Sequence, residues 1–443
     1  MIYNYNKEIA LKNFRRILRY RTVAGNKVSF IGFREGIKEM YPNIHSVCDF
    51  ELIGKSGLMY KWSSGFADEK SRNSIVLMSH YDVVPADKAE WKHPPFGGKE
   101  VDGKVYGRGT LDTKCTFCAV MESVEALISA GFTPSYDIYL CFGGDEETTG
   151  DDAVQIAEHL RQKGVRAELV LDEGGAVVNG AIAGINKQVA LVGIAEKGYM
   201  DVEFITYGAG GHTSLVGAKN PITTMSEVIG RLNQNLFKPR WSAPLKTMLD
   251  SAAEHTDIKA IKLISRFPML GGILRKAFIK KLPEVDALTR TIGAITRISG
   301  GSAENVIPEE VRAVGNFRVI NESSVDETMA IIKSALSGLD VEVNLLSGLE
   351  PSVISETSGA GWEALSAAIS KTWDNSVLIP YLMLARSDSR SYGIISDNIY
   401  RFTPVIMTGD DRRTIHGVDE NISVENFYKM IEFYLRLITQ ENL

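Results

Sequence analysis

The chain has 443 residues, of which 44% are hydrophobic and 23% charged, a composition typical of globular proteins and a length sufficient for two domains. Its net charge of −6 argues against nucleic acid as a partner, since phosphate binding requires a basic surface. No run of about 18 apolar residues and no signal-peptide pattern occurs, so we expect no membrane insertion and a cytoplasmic location.

The first half of the chain alternates short apolar runs with segments of helical periodicity. Strands that alternate with helices predict an α/β fold, in which helices flank a parallel or mixed sheet. The predicted elements are helices within 1–45, a strand at 75–78, a helix at about 116–129, a strand at 138–142, a helix at about 152–163 and a strand at 169–171.

Each of the three predicted strands runs directly into polar residues. His80 follows the first strand, Glu146 and Glu147 follow the second, and Asp172 follows the third. Open α/β sheets bind ligands beyond the carboxyl ends of their strands. The sequence therefore predicts a functional site at this edge of the sheet.

The second region has the element order βαββαβ, which is typical of a ferredoxin-like α+β domain. We predict that this domain comprises residues 196–348 and is inserted into a discontinuous catalytic domain of residues 1–195 and 349–443. Between its first helix and second strand lies a further insertion, at about 238–288. Within it, the basic amphipathic stretch 267–279 could line an apolar pocket or touch a membrane surface, although packing on the inserted domain is the preferred interpretation.

Histidine and carboxylate side chains, the types that bind zinc, occur at the predicted sheet edge, in a glycine-rich turn and near the C-terminus. The candidate ligands are His80, Asp112, Glu147, Asp172 and His416. The histidines assigned to ordinary surface or core positions are His45, His93, His159 and His255.

Several separated segments resemble the M20 metallopeptidases in the right order. They are HYDVVP at 80–85, GRGTLDTK at 107–114 and DEE at 145–147. The segments SDSRSY at 387–392 and YRFTPV at 400–405 resemble the carboxypeptidase S-like branch, which includes Gly-X carboxypeptidases and N-acyl amino acid hydrolases. The resemblance covers nearly the whole chain and implies a zinc-exopeptidase-type mixed sheet with an inserted lid and dimerisation domain.

The resemblance also implies the roles of the candidate ligands. His80 and Asp172 would bind one zinc ion, Glu147 and His416 would bind the other, and Asp112 would bridge the pair. Cobalt or manganese could replace zinc at such a site.

Two acidic residues beside these ligands have implied catalytic roles. Asp82 would hold the ring of His80, as metal-bound histidines usually require. Glu146 would act as the general base, taking a proton from a metal-bridging water that attacks the substrate.

The inserted domain and the C-terminal part supply further candidates by the same resemblance. His212, in the segment GGHTS, would reach the active site of a partner subunit in a homodimer, although a plain turn histidine is the alternative. Asn305, Arg318 and Arg390 would hold the carboxylate of the substrate. The family often has a glycine-rich stretch before the last arginine, whereas this chain has Arg386 there, so the arrangement of the carboxylate-binding residues stays open.

These features predict a zinc-dependent hydrolase that cleaves the amide bond next to an amino acid with a free carboxylate. Its substrate would be a small peptide or an N-acyl amino acid. One alternative is a biosynthetic N-deacylase of the acetylornithine deacetylase or succinyl-diaminopimelate desuccinylase type. A more remote alternative is a metal-free binding protein that retains the fold, although every expected ligand and the base are present.

Overall fold

The structure is a computed structural model that describes residues 4–440, except 66–73, 181, 183, 216, 218, 235 and 267–282. The α-helices are α1 (Lys7–Ile17), α2 (Lys27–Met40), α3 (Pro42–Val47), α4 (Lys114–Ser129), α5 (Asp151–Gln162), α6 (Pro221–Leu232), α7 (Ala243–His255), α8 (Lys259–Arg266), α9 (Pro283–Thr289), α10 (Val325–Ala335), α11 (Ala360–Thr372), α12 (Gly409–Thr414) and α13 (Val424–Ile438). The strands are β1 (Asp49–Ile53), β2 (Gly57–Trp62), β3 (Ser74–His80), β4 (Lys99–Val101), β5 (Lys104–Tyr106), β6 (Asp137–Gly143), β7 (Leu169–Asn179), β8 (Gln188–Glu196), β9 (Gly198–Tyr207), β10 (Gly211–His212), β11 (Ile292–Gly300), β12 (Val306–Ile307), β13 (Glu310–Val319), β14 (Glu342–Leu349), β15 (Ser376–Met383), β16 (Ile399–Ile406) and β17 (Asn421–Ser423).

A mixed sheet of eight strands forms the larger layer, in the order β1-β2-β6-β3-β7-β16-β8-β15. The central strand β3 runs parallel to β6 on one side and to β7 on the other. The carboxyl ends of β3 and β6 therefore meet at one edge, beside the middle of the longer β7. The predicted α/β fold with a mixed sheet is confirmed.

Helices bury both faces of this sheet. Along β3, Ile75 and Leu77 contribute to one hydrophobic cluster, and Val76 and Met78 contribute to the cluster on the opposite face. Helices α1, α4 and α13 supply the first cluster, whereas α5 supplies the second. Burial on both faces explains why the strand is a continuous apolar run rather than an alternating pattern.

A smaller antiparallel sheet has the strand order β11-β13-β9-β14. With helices α6 and α10 it has the βαββαβ order of the predicted ferredoxin-like unit. In β13 buried and half-buried residues alternate, as expected when one face packs on helices. The chain leaves the large sheet at Glu196, the end of β8, and leaves the small sheet at Leu349, the end of β14.

The insertion that precedes β11 contains two helices that pack on the large sheet. Ala252 of α7 and Ile261 of α8 form a hydrophobic cluster with Val377 and Ile379 of β15. The amphipathic stretch 267–279, expected to pack on the inserted domain, lies outside the described residues. No described helix combines the length and the apolar character needed to cross a membrane.

Candidate active site

Residues from four separate segments converge at the edge where β3 and β6 end. His80 is the last residue of β3, Glu147 lies in the turn after β6, Asp112 precedes α4 and His416 follows α12. The carboxylate of Asp112 lies between the two histidines. Its Oδ1 is 3.0 Å from Nε2 of His80, and its Oδ2 is 2.9 Å from Nε2 of His416.

Two clusters of potential metal ligands share Asp112. The first comprises His80, Asp112 and Glu173, and the second comprises Asp112, Glu147 and His416. Glu173 Oε1 lies 3.4 Å from Nε2 of His80, and Glu147 Oε2 lies 3.1 Å from Nε2 of His416. Four of the five predicted ligands are therefore brought together.

Asp172, the fifth predicted ligand, lies in neither cluster, and Glu173 stands in its place. The buried Asp172 carboxylate instead accepts a hydrogen bond from the backbone N–H of Ser389, at 3.0 Å. The cause is an irregularity in β7: Asp172 pairs with Arg401 of β16, but the next partner, Phe402, pairs with Gly175. Two extra residues on β7 form a bulge, and bulges commonly redirect side chains beside active sites.

A single buried carboxylate, that of Asp82, orients both His80 and the turn after β6. Its Oδ1 is 3.3 Å from Nδ1 of His80, which also lies 3.0 Å from the Asp82 carbonyl oxygen. The same carboxylate accepts hydrogen bonds from the backbone N–H groups of Glu146 and Glu147, at 3.2 and 3.1 Å. Asp82 therefore fixes the ring of His80 relative to the neighbouring acidic pair.

The environment of Glu146 favours a carboxyl group that exchanges protons near neutral pH. Burial raises its pKa to about 7, with contributions from the charges of Asp112 and Glu147 and against the opposing effect of His80. Burial and the charge of Asp112 raise the pKa of Glu173 to about 8. Hydrogen bonds to Asp112 and Glu147 raise the pKa of His416 to about 10.

Sequence reasoning assigned no role to Glu420 and Arg108, which hold the loop that carries Asp112. The buried Glu420 carboxylate accepts hydrogen bonds from the backbone N–H groups of Leu111 and Asp112, at 2.7 and 3.2 Å. Its Oε2 also pairs with Nη1 of Arg108, at 2.6 Å. A second guanidinium nitrogen of Arg108 donates to the carbonyl oxygen of Gly417, beside His416. The two residues thus connect the Asp112 and His416 loops.

The inserted unit brings His212 and Asn305 together on a small ribbon. His212 pairs with Val306 across β10 and β12, and the N–H of Thr213 donates to the Asn305 carbonyl oxygen at 3.1 Å. His212 is exposed, with Nδ1 2.8 Å from the hydroxyl of Ser214. Across the described part of the chain, no hydrogen bond or ion pair joins either residue to the two ligand clusters.

The predicted substrate-binding arginines lie near the junction of the two sheets. The Arg318 guanidinium is 5.9 Å from the ring centroid of Tyr199, and that of Arg386 is 6.0 Å from the same centroid. Arg390 lies with Nη1 3.7 Å from Oε2 of the buried Glu196. The structure therefore brings Arg318 together with Arg386, which the sequence singled out only as a departure from the family.

Comparisons with known proteins show which family the chain belongs to. The sequence profile described as peptidase family M20/M25/M40 matches residues 76–440. The chain is 32% identical over 416 residues to "Probable carboxypeptidase S-like 2" of Dictyostelium discoideum, which covers 92% of this chain and 79% of the relative. It is 31% identical to "N-fatty-acyl-amino acid synthase/hydrolase PM20D1" of Xenopus tropicalis, over 93% of this chain and 81% of the relative.

A solved structure shows the same fold at low sequence identity. The M20 family metallo-carboxypeptidase Sso-CP2 from Sulfolobus solfataricus superimposes with a TM-score of 0.70 and 17% identity, covering 97% of this chain and 98% of that one. The fold and the ligand clusters define a metal-dependent hydrolase that acts on peptide or amide bonds. The chain belongs to peptidase family M20/M25/M40, and the resemblance to carboxypeptidase S-like proteins is confirmed.

Proposed function

We propose that the protein is a two-zinc hydrolase that cleaves the amide bond next to an amino acid with a free carboxylate. The observation that carries this proposal is the pair of ligand clusters that share Asp112. Its relatives include a probable carboxypeptidase S-like protein and an N-fatty-acyl-amino acid synthase/hydrolase. A small peptide with a free C-terminus or an N-acyl amino acid is therefore the proposed substrate.

The donor chemistry fits a pair of divalent cations. Each cluster offers one imidazole nitrogen and two carboxylates, with ligand atoms within 4.8 Å of one another. These are donors that zinc binds, and cobalt or manganese also accepts them. We assign His80 and Glu173 to one cation, Glu147 and His416 to the other, and Asp112 to both.

The proposed mechanism combines Lewis acidity with a protein base. When bound, the two cations would polarise the scissile carbonyl and make a water molecule more acidic. Glu146 accepts a proton from the attacking water and delivers it to the leaving amine, for which a pKa of about 7 is well suited. Asp82 keeps Glu146 and His80 in a fixed relation by bonding to both.

The remaining candidate residues are proposed to bind the substrate. Arg318 and Arg390, with Asn305, hold the free carboxylate of the amino acid, for which a planar guanidinium is suited. His212 stabilises the developing oxyanion in the active site of the partner subunit of a homodimer. The exposed position of His212 on the inserted unit is consistent with a role outside its own subunit.

A biosynthetic N-deacylase is the second candidate within the same chemistry. The names of the relatives favour the carboxypeptidase S-like assignment, and the complete donor set argues against a metal-free binding protein. The two enzyme assignments differ in the acyl group and amine that they accept, so substrates separate them.

The test is hydrolysis of matched substrates by purified protein supplied with zinc, cobalt or manganese. The panel comprises dipeptides and N-acyl amino acids, each with a free carboxylate and as its methyl ester. We expect metal-dependent release of the amino acid from the free acids and much slower release from the esters. Equal turnover of acids and esters would refute the carboxylate requirement, and no turnover with any metal would refute the function.

A further inference from the structure

Two arginines from different parts of the chain share one aromatic ring near the junction of the sheets. Arg318 lies on β13 and Arg386 lies in the loop after β15, and each guanidinium is about 6 Å from the ring centroid of Tyr199. All three side chains are partly buried. Contact with an aromatic face stabilises a guanidinium only modestly and leaves its hydrogen-bond donors unused.

Neither of these arginines has an anionic partner within the described residues. Arg401, in contrast, bonds to the buried Glu196 at 2.5 Å, and Arg390 lies 3.7 Å from the same carboxylate. Arg318 and Arg386 form no ion pair and no side-chain hydrogen bond with any described residue. Partly buried cations without a partner are unfavourable, and an incoming anion would relieve that cost.

Positive charge accumulates around these two residues. Burial, followed by the charge of Arg318, lowers the pKa of Lys197 to about 7. Burial lowers the pKa of Arg390, and the charge of Arg386 lowers it further, against the attraction of Glu196. These neighbouring cations repel one another, so the junction is a favourable place for more than one negative charge.

Arg386 also lies beside the turn that carries the acidic pair. A Cβ atom built on Gly150 would lie 2.9 Å from Nη2 of Arg386. Gly150 ends the segment that begins with Asp145 and includes Glu146 and Glu147, and its N–H donates to the Asp145 carbonyl oxygen. The guanidinium of Arg386 therefore lies close to this turn as well as to the ring of Tyr199.

We infer that Arg386 recognises a second carboxylate on the leaving amino acid, so that the preferred substrates are N-acyl or peptidyl derivatives of glutamate and aspartate. This inference rests on the proposed function, which assigns Arg318 to the α-carboxylate. Because Arg386 and Arg318 share the ring of Tyr199, the second anion belongs on the same side of the scissile bond. Each guanidinium can pair with one carboxylate in a bidentate manner.

The test compares two nearly isosteric substrates, N-benzoyl-glutamate and N-benzoyl-glutamine, by kcat/KM with the metal-loaded protein. We expect the wild type to prefer the glutamate derivative by about 10- to 100-fold, as a charge-assisted bidentate pair supplies. Arg386→Ala should bring the two values close together, chiefly by reducing turnover of the glutamate derivative. Arg386→Lys should keep part of the preference.

A matched control is Arg166→Ala, which removes a guanidinium that pairs with Asp397 on the surface. It should keep the wild-type preference. The glutamine derivative also reports on folding, because an Arg386→Ala protein that still hydrolyses it at the wild-type rate is intact.

Three results would overturn the inference. The first is a wild-type enzyme without preference for glutamate. The second is an equal loss for both substrates in Arg386→Ala, which would assign Arg386 to the α-carboxylate. The third is that Arg386→Ala lowers kcat/KM selectively for N-succinyl-glutamine, a substrate whose second carboxylate lies on the acyl group. That result would place the second anion on the acyl side of the scissile bond. Failure to hydrolyse both benzoyl substrates and the dipeptides of the panel with any metal would instead contradict the proposed function.

Discussion

Glu420 and Arg108 form a buried ion pair beneath the loop that carries Asp112, with 2.6 Å between Oε2 and Nη1. The Glu420 carboxylate also accepts hydrogen bonds from three backbone N–H groups of that loop, those of Gly109, Leu111 and Asp112. Removal of Arg108 would leave this carboxylate buried with its charge unpaired. The pair therefore contributes to stability and to the position of the shared aspartate.

Replacement of Arg108 should destabilise the fold. We expect Arg108→Ala to lower the free energy of unfolding by about 3–5 kcal/mol, as for other broken buried ion pairs. Chemical denaturation followed by circular dichroism measures this, with Arg166→Ala as a surface-charge control that should change little. A loss no larger than that of the control would show that the pair is not needed to hold the loop.

Glu173 rather than Asp172 should determine metal content. Glu173→Gln replaces the carboxylate that lies 3.4 Å from Nε2 of His80 with a neutral amide, which binds a cation more weakly, so we expect at least a tenfold loss of affinity at one of two metal positions. Asp172→Asn keeps an acceptor for the N–H of Ser389 and should retain both metals. Titration calorimetry measures the metal affinity of the two variants, and elemental analysis measures their metal content. The opposite pattern, with metal lost only in Asp172→Asn, would support the prediction made from the sequence.

Glu146 should be required for turnover but not for metal binding. Glu146→Gln removes the proton acceptor while its backbone N–H still donates to Asp82, so kcat should fall by about 10²–10⁴-fold. Metal content and melting temperature should stay close to those of the wild type. Glu158→Gln, an exposed glutamate on α5, is the matched control. Full kcat in a metal-loaded Glu146→Gln protein would exclude its role as the base.

His212 should act across a subunit interface, which a complementation experiment can detect. If His212 and Glu146 of different subunits form one site, inactive His212→Ala and Glu146→Gln proteins should regain activity when refolded together. A random equimolar mixture of a twofold-symmetric dimer has one intact site in each heterodimer, or about a quarter of wild-type activity. If the mixture shows only the added activities of the two variants measured alone, action in trans is contradicted. Light scattering determines whether a dimer forms.

The fold could be predicted because its central strands have a simple physical signature. The apolar run 75–78 is buried on both faces of the sheet, and the polar residues that follow it mark the sheet edge. The small sheet was equally predictable from the sequence, because β13 alternates between buried and half-buried positions. The packing of α7 on β15 was not predictable, since an apolar helix face does not specify its partner.

The site was predictable to the level of segments but not of every side chain. Asp172 and Glu173 both follow an apolar run, and only the bulge in β7 determines which one faces His80. The grouping of Arg318 with Arg386 at Tyr199 depends on contacts between residues far apart in the sequence. Such three-dimensional pairings leave no periodic signal that sequence reasoning could use.

Glu122, which lies away from the ligand clusters, makes the stability of the fold depend on pH. It lies buried on α4, where Asn13 donates a hydrogen bond to its Oε1 at 2.8 Å. Burial raises the pKa of Glu122 to about 7, whereas an exposed glutamate titrates near 4.5. The folded state therefore holds this proton more tightly than the unfolded state, and the associated stability is complete below about pH 4.5 and is lost as the pH rises to about 7.

Glu122→Gln should consequently flatten the dependence of stability on pH in this window. The wild type should lose about 3 kcal/mol of unfolding free energy between pH 4.5 and 7 through this group, because one pKa unit corresponds to about 1.4 kcal/mol. Glutamine still accepts from Asn13 and cannot ionise, so the variant should gain stability relative to the wild type toward neutral pH. Urea denaturation at several pH values measures the difference, with exposed Glu35→Gln as the control. Parallel pH profiles for wild type and Glu122→Gln would contradict the raised pKa.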